Sequence, residues 1–504
     1  MLLLVCYKLH LGVEINIDYH ALAPELIIIF TIVGALSLDL ILRRKNKYLI
    51  AIFSVVGTVA SLIPIITLWF SQETNRYLFE GSYVIDRFSL ILKGIFILAT
   101  YLTLVLSVKY IESEEYYQGE YYFLLLCSLL GAVVIASSRD LLILFIGIEL
   151  ASGPMFLLSG WKKGSPESNE GAIKFFLLGV LAAALILYGF SLLYGLTGQI
   201  LFDNIATSMA SSNSNAAVLA IILVIAGIGF KISAVPFHSW APDTYQGAPL
   251  PVTAYLSVSS KAAGFVALLL FTTKIVPSFG GVWGPILLIM SGATMTVGNL
   301  IALQQDNAIR LLAYSSIAQA GFIIAPIAAS GFNSNYQDSI FSSVTYIAIY
   351  TFMNLGAFAV VLISEKITDT LDIYRWGNMA KVSPLVGLFS AMFFFSLAGI
   401  PPLGGWFAKF VVFRSLLGVD SSVVLLLAAI GAINAVVALV YYARVVKIMW
   451  MDESTLASTS GDTLEIDKSL SFVGVFTLII TIVVGFFPNI FGILGQAASQ
   501  LLLP

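Results

Sequence analysis

The chain has 504 residues, 59% of them hydrophobic and only 11% charged, with a formal net charge of −3. A soluble domain carries about 25% charged residues, so the composition excludes a water-soluble globular protein and indicates an all-α chain that crosses a membrane many times. No basic cluster suits nucleic acid, and membrane lipid is the first expected partner.

Met1–Leu11 has neither a basic n-region nor a small-residue cleavage site, so no removable signal peptide is expected. Windows of about 20 apolar residues then give about fourteen spans, near 22–42, 48–70, 87–109, 121–138, 141–160, 172–196, 216–238, 251–273, 282–305, 309–330, 339–364, 384–418, 421–446 and 470–497. The seventh runs into Ser233-Ala-Val-Pro236 soon after Lys231. The twelfth is too long for one pass and contains Gly399-Ile-Pro-Pro-Leu-Gly-Gly405. Proline removes a backbone donor and clashes with the preceding turn, so both helices are expected to break. Bare backbone at membrane depth survives only inside protein or beside a wet cavity.

Loops after odd-numbered spans hold Arg43, Arg44, Lys45, Lys47, Lys109, Lys162, Lys163, Lys366, Arg375, Lys381, Arg444, Lys447 and Lys468. Those after even-numbered spans hold Arg76, Arg87, Arg139 and Lys274. The basic side faces the cytoplasm or its equivalent, and both termini lie on the other side. Spans four to eight and nine to thirteen each form a five-helix unit with a lysine-bearing broken helix fourth. Five is odd, so the second unit is inverted relative to the first, as in known transporters. The expected organisation is a three-helix segment (1–120), a first repeat (121–273), a second (274–450), and a loop with the last helix (451–504).

Ionisable groups inside the spans carry the chemistry. Fifteen steps at 1.5 Å rise place Lys231 roughly 22 Å from Ala216, well inside a core about 30 Å thick. A charge there costs about 2.5–3.5 kcal/mol on insertion scales. Glu149 lies near mid-depth of span five. It reads as a hydrogen-bonded structural carboxyl or as a partner that holds Lys231 charged and releases its proton when withdrawn. Lys261 stands about 15 Å into span eight among serines. Lys409 follows the Pro401-Pro402 break, which keeps it inside the membrane. Lys174, at the start of span six, reads equally as snorkelling to the interface or as functional. Lys93 in span three reads as snorkelling, and Arg139-Asp140 as a solvated loop pair. His238 reads as a helix-end histidine satisfied by a carbonyl, or as an extension of a proton wire from Lys231. Ser315, Ser316, Gln319, Tyr346, Tyr350, Asn354 and Asn434 read singly as helix-packing glue; together with water they could bridge Lys261 to Lys409. Two cysteines, Cys6 and Cys127, cannot supply four thiolates for an iron–sulfur cluster or structural zinc. Three scattered histidines and the lack of a Gly-rich dinucleotide loop complete the expectation that this chain holds no redox cofactor.

The run Gly227-Ile-Gly-Phe-Lys231-Ile-Ser-Ala-Val-Pro-Phe-His238-Ser-Trp-Ala-Pro-Asp-Thr-Tyr-Gln-Gly-Ala-Pro249 resembles the seventh-helix signature of the antiporter-like membrane subunits of respiratory complex I. Pro251-Val-Thr-Ala-Tyr-Leu-Ser-Val-Ser-Ser-Lys261-Ala-Ala is similar to the eighth, and Ser396-Leu-Ala-Gly-Ile-Pro-Pro-Leu-Gly-Gly-Trp-Phe-Ala-Lys409-Phe to the twelfth. Within that family the resemblance is to the subunit N type of NADH-quinone oxidoreductase, called subunit 2 in mitochondria and plastids. Ser-Lys-Ala-Ala is typical of it. Lys409 stands where M-type chains and the D subunit of multisubunit Na⁺/H⁺ antiporters carry glutamate, and the chain ends without a long lateral helix. The resemblance implies a proton-translocating subunit in which Glu149 pairs with Lys231, Lys261 is the central relay lysine and Lys409 the terminal one. It also matches Lys174 to a sixth-helix lysine of N-type chains. It implies NAD, FMN, iron–sulfur clusters and quinone in partner subunits, and K, M and J/A-type membrane neighbours with an indirectly attached peripheral arm. The membrane would be a bacterial plasma, mitochondrial inner or thylakoid membrane. A subunit of a multisubunit Na⁺/H⁺ antiporter, or of a ferredoxin- or hydrogenase-linked complex, is the alternative.

Overall fold

The computed structural model describes residues 18–42, 46–71, 75–113, 118–210, 214–453 and 467–499. Met1–Leu11, with Cys6 and His10, and the basic residues Arg43, Arg44 and Lys45 lie outside the described residues. The elements in chain order are α1 (Ala23–Ile41), α2 (Tyr48–Ala60), α3 (Leu62–Trp69), a hairpin of β1 (Arg76–Leu78) and β2 (Tyr83–Ile85), α4 (Arg87–Ser113), α5 (Gln118–Ser137), α6 (Leu141–Ser159), α7 (Pro166–Thr197) and the short α8 (Phe202–Met209). There follow α9 (Asn215–Lys231), α10 (Trp240–Gly247), α11 (Leu250–Ile275), α12 (Gly280–Ala302), α13 (Ala308–Asn333), α14 (Tyr336–Thr368), α15 (Pro384–Ala398), α16 (Gly404–Leu417), α17 (Ser422–Met451), α18 (Lys468–Phe486) and α19 (Asn489–Ser499).

Among the described residues twelve helices, counting α2 and α3 as one, are long and apolar enough to cross a membrane. In hydrocarbon every backbone polar group must be satisfied within the segment, which leaves helices as the form for such runs. The two other expected crossings are the broken ones, α9 with α10 and α15 with α16, so fourteen crossings result. Helix α9 ends at Lys231, and Ser233 follows at φ 56° before Pro236. Helix α15 ends at Ala398, and Gly399 takes φ 93°, a left-handed C-terminal position that a Cβ would disfavour. Helices α5, α6, α7, α9–α10 and α11 form one set of five. Helices α12, α13, α14, α15–α16 and α17 form the other. The fourth member is broken in each, and the odd count inverts the second set.

Helices α11, α13 and α14 are buried almost throughout and form the axis of the molecule, whereas α1, α7 and α17 show most of their surface to the surroundings. The outward side of α17 carries Leu426, Ile433 and Val436, a lipid-facing stripe. Helices in lipid associate through close packing rather than a hydrophobic drive. Accordingly Gly331 of α13 lies against Gly284 of α12, where an added Cβ would stand 2.6 Å from the Gly284 Cα.

Two expectations are corrected here. Lys93 does not snorkel: it is fully buried and its ammonium meets the Glu25 carboxylate of α1 at 2.5 Å. Snorkelling loses because a carboxylate from another helix lies within direct reach of the ammonium. Arg139 and Asp140 are not a solvated pair. Arg139 bonds Asp86 at 2.6 Å, and Asp140 caps α6 by accepting from the backbone N–H groups of Leu142 and Ile143. A helix start needs such an acceptor for its orphan donors.

Candidate functional site

The first centre joins α6 to the broken end of α9. Glu149, Ser152 and Phe156 recur at three- and four-residue spacing, so they share one face of α6. Lys231 reaches that face. Its Nζ donates to Ser152 Oγ at 2.9 Å and to Glu149 Oε1 at 3.3 Å, and it lies 5.6 Å from the centre of the Phe156 ring. The lysine side chain is 8% exposed and the glutamate 32%, so the pair has a buried and a more open end. Lys231 is also the last residue of its helix, where the negative end of the helix dipole favours a cation.

A second cluster lies at the start of α7. Lys174 Nζ meets Asp243 Oδ2 at 2.7 Å and Glu170 Oε1 at 2.6 Å. Arg310 of α13 reaches the other Asp243 oxygen at 3.1 Å and Gln246 at 2.9 Å. Lys174 is thus held between carboxylates, and Asp243 of α10 ties the first set of helices to the second. Asp243, Arg310 and Glu170 were not singled out from the sequence. His238 sits half-buried on the segment between α9 and α10, and among the described residues it makes no hydrogen bond to Lys231 or Lys174.

Lys261 follows a widened π-helical turn, Leu256–Ser260, in α11. Such turns are frequent at functional sites. Its Nζ donates to Ser316 Oγ at 2.8 Å and to the Ser316 carbonyl at 3.2 Å, with the Tyr245 ring centre 5.9 Å away. A cavity of about 10 Å³ lies beside it, lined by Ser257, Lys261, Tyr350 and Thr351 among others. That is about the room one water needs.

The fourth centre is made by the second helix break. Gly399 N–H turns back to the carbonyls of Phe395 and Ser396, and Ile400 N–H to Phe395. The next two carbonyls, of Leu397 and Ala398, are taken by side chains instead. Lys409 Nζ donates to the Ala398 oxygen at 2.5 Å, and Gln319 Nε2 to the Leu397 oxygen at 3.1 Å. The break therefore frees the acceptors that hold Lys409. Gln319 also donates to Tyr442 Oη at 3.2 Å and accepts from Tyr346 Oη, while Tyr442 shares a 2.5 Å hydrogen bond with Ser315. Ser315 neighbours Ser316, the partner of Lys261. A run of polar groups on α13, α14 and α17 thus spans the interval between Lys261 and Lys409. Asn354 joins it at the Lys261 end by donating to Ser257 at 2.7 Å. Asn434 meets it from the side: its side chain faces α12, where it bonds Asn299 and Thr296, and Asn299 in turn accepts from Tyr441, whose ring packs on Tyr442.

Comparison with known proteins gives a consistent picture. The family described as NADH:quinone oxidoreductase/Mrp antiporter, transmembrane, matches residues 138–435. NAD(P)H-quinone oxidoreductase subunit 2 of Nostoc sp. is 38% identical, over 87% of this chain and 83% of its own. NADH-quinone oxidoreductase subunit N 2 of Rhizobium meliloti is 39% identical, over 95% of this chain and 97% of its own. A chain of respiratory complex I from Thermus thermophilus is 28% identical and superposes with a TM-score of 0.77, covering 94% of this chain and 99% of that one.

Proposed function

We infer the function from one premise: the chain belongs to the subunit N (subunit 2) family of NADH-quinone oxidoreductase membrane subunits. We propose that it translocates protons across the membrane and transfers no electrons itself. The observation that carries this reading is the state of Lys261 and Lys409. Both are buried in the membrane, and among the described residues both face hydroxyl and carbonyl oxygens but no carboxylate. A buried ammonium without a counter-charge is costly, so each lysine is poised to give up a proton when a charge moves nearby.

The roles follow from the contacts. Glu149 holds the proton on Lys231 while the two are close, and a shift of the carboxylate releases it. Lys261 takes it, Ser316 and the Ser315–Tyr442–Gln319 groups with bound water carry it on, and Lys409 passes it toward the less basic side. Lys174 and Asp243 sit on the basic side, where protons are taken up. Moving one charge against 100 mV costs about 2.3 kcal/mol. Two pKa units at one lysine are worth about 2.7 kcal/mol, so modest electrostatic switching is sufficient in size. His238 has no place in this route.

NADH oxidation and quinone reduction belong to partner chains in this reading. The described residues hold no group of three or more His, Cys, Asp or Glu side chains that could ligate a metal. FMN, iron–sulfur clusters and NAD fit a peripheral arm, and K-, M- and J/A-type subunits are the proposed membrane neighbours. The test is Lys261→Ala in the whole complex reconstituted into vesicles. Dye-reported proton uptake and coupled quinone reduction should fall together, while NADH oxidation by a soluble acceptor at the peripheral arm persists. Full pumping without Lys261 would overturn the reading.

A further inference from the structure

A second buried acid–base pair lies outside this route. Glu25, in the first turn of α1, and Lys93, two turns into α4, face each other with Glu25 Oε1 2.5 Å from Lys93 Nζ. The lysine side chain is 0% exposed and the glutamate 8%. Tyr83 of β2 donates its hydroxyl to the same oxygen at 2.6 Å, and its ring centre lies 5.1 Å from the ammonium. The pair is incompletely bonded. Glu25 Oε2 is buried with no hydrogen-bond partner, and the three donors of Lys93 have one acceptor among the described residues. A structural staple satisfies its groups, and this pair does not.

The charged groups on the elements around it are placed at the same face: Asp18, before α1, bonds Arg76 of β1 at 2.7 Å, and Arg87 at the start of α4 lies over the Trp69 ring. Asp86, at the start of α4, is bonded to Arg139 at 2.6 Å, and Lys274 and Asp203 lie beyond them. Helices α2 and α3, which pack on α1, bring only Tyr48 as a titratable side chain, and the end of α5 near the cluster, residues 132–137, brings none. Helices α1 and α4 begin and α5 ends at this face, whereas α7 and α13 begin beside Asp243. The pair therefore lies toward the opposite membrane face from Asp243, beneath the β1–β2 hairpin.

We propose that Glu25 and Lys93 form a second proton-exchange site, opening under the hairpin toward the less basic side of the membrane. Its part in pumping rests on the proton-translocation reading above; its binding of a proton does not. A proton passing from the Lys93 ammonium to Glu25 leaves a neutral amine and a carboxylic acid, with no charge leaving the pair. Release of that proton from the carboxyl toward the hairpin, and return of one to the amine from the interior, completes a cycle. The unpartnered Oε2 is the atom left for the exchange, and Tyr83 holds the other oxygen.

Two measurements on the whole complex test this. Infrared spectra of the parent minus Glu25→Gln, recorded as a function of pH, should contain a carboxyl C=O band that grows as pH falls. Lys93→Met should enlarge that band at a given pH, since the acid then has no cation to hold it ionised. If no such band appears in either background, Glu25 stays ionised and the proposal fails, whatever becomes of pumping. The apolar double variant, Glu25→Leu with Lys93→Met, should assemble yet move fewer protons per electron than the parent. An unchanged ratio would make the pair a replaceable staple. Should that variant not assemble, the infrared comparison in Glu25→Gln still decides.

Discussion

Lys409 is where a proton role and a fixed-charge role come apart most cleanly. Its ammonium donates to the Ala398 carbonyl at 2.5 Å, in a buried site against Phe322. A hydrogen bond to a charged group contributes about 1.5–3 kcal/mol, and a buried carbonyl left unpaired costs about 1–3 kcal/mol. Lys409→Ala should therefore loosen the α15–α16 elbow by about 2 kcal/mol and stop translocation. Lys409→Arg keeps a donor and a positive charge but does not release its proton in the accessible pH range. It should preserve assembly better than alanine and pump at least tenfold more slowly than the parent. Lys409→Glu is the third arm. A protonated carboxyl can donate to the same carbonyl and can also give its proton up, so partial pumping should remain, above the arginine variant. Proton uptake by vesicles, normalised to assembled complex on native gels and to NADH oxidation, reads all three. If arginine pumps as well as lysine, the side chain is only a fixed charge and protons leave elsewhere.

Other outcomes follow from the same geometry. Glu149→Ala and Lys231→Ala should each depress pumping, and the double variant should fall short of the sum because the two groups act as one unit; strict additivity in the same vesicle assay would mean that the 3.3 Å contact is not functional. Asp243→Asn removes one charge partner from Lys174 and one from Arg310 at once, leaving them Glu170 and Gln246. These pairs are partly exposed, so the thermal midpoint should fall slightly at low salt and less at high salt; a parental midpoint at low salt counts against the bridge. Gly331→Leu forces α13 away from the Gly284 backbone, and overpacking of this kind costs about 1–3 kcal/mol or more. The assembled fraction should drop, and an unchanged yield would show that α12 and α13 separate readily.

Much of this arrangement was legible in the sequence, for a simple reason. Counting residues from a span boundary gives depth, because a helix rises about 1.5 Å per residue. That located Lys231, Lys261, Lys409 and Glu149 inside the membrane, and the prolines located both breaks. What depth does not give is the direction a side chain points around its helix, nor which distant helix stands opposite. Glu25 was not singled out, because 68 positions separate it from Lys93 and nothing in the sequence sets the two opposite each other. Asp243 sits in a segment whose neighbours, Lys174 and Arg310, come from helices far apart in the chain. The same gap explains Asn434: its depth suited the route to Lys409, but its side chain turns toward α12. Lys174 was legible in position and ambiguous in purpose, because snorkelling and pairing make the same demand on depth.

The acceptors at the second break are main-chain atoms, and that shapes how this region tolerates change. Gln319 and Lys409 grip the oxygens of Leu397 and Ala398, and every amino acid supplies those oxygens. Residues 397 and 398 are buried, so they can exchange for others of similar volume without erasing the grip, provided the chain still bends at Gly399. Inheritance would guard the bend rather than the side chains beside it. Mutagenesis scored by pumping should find hits at Gly399 and at the two side-chain donors, with near silence for volume-conserving apolar changes at the two buried positions that supply the oxygens.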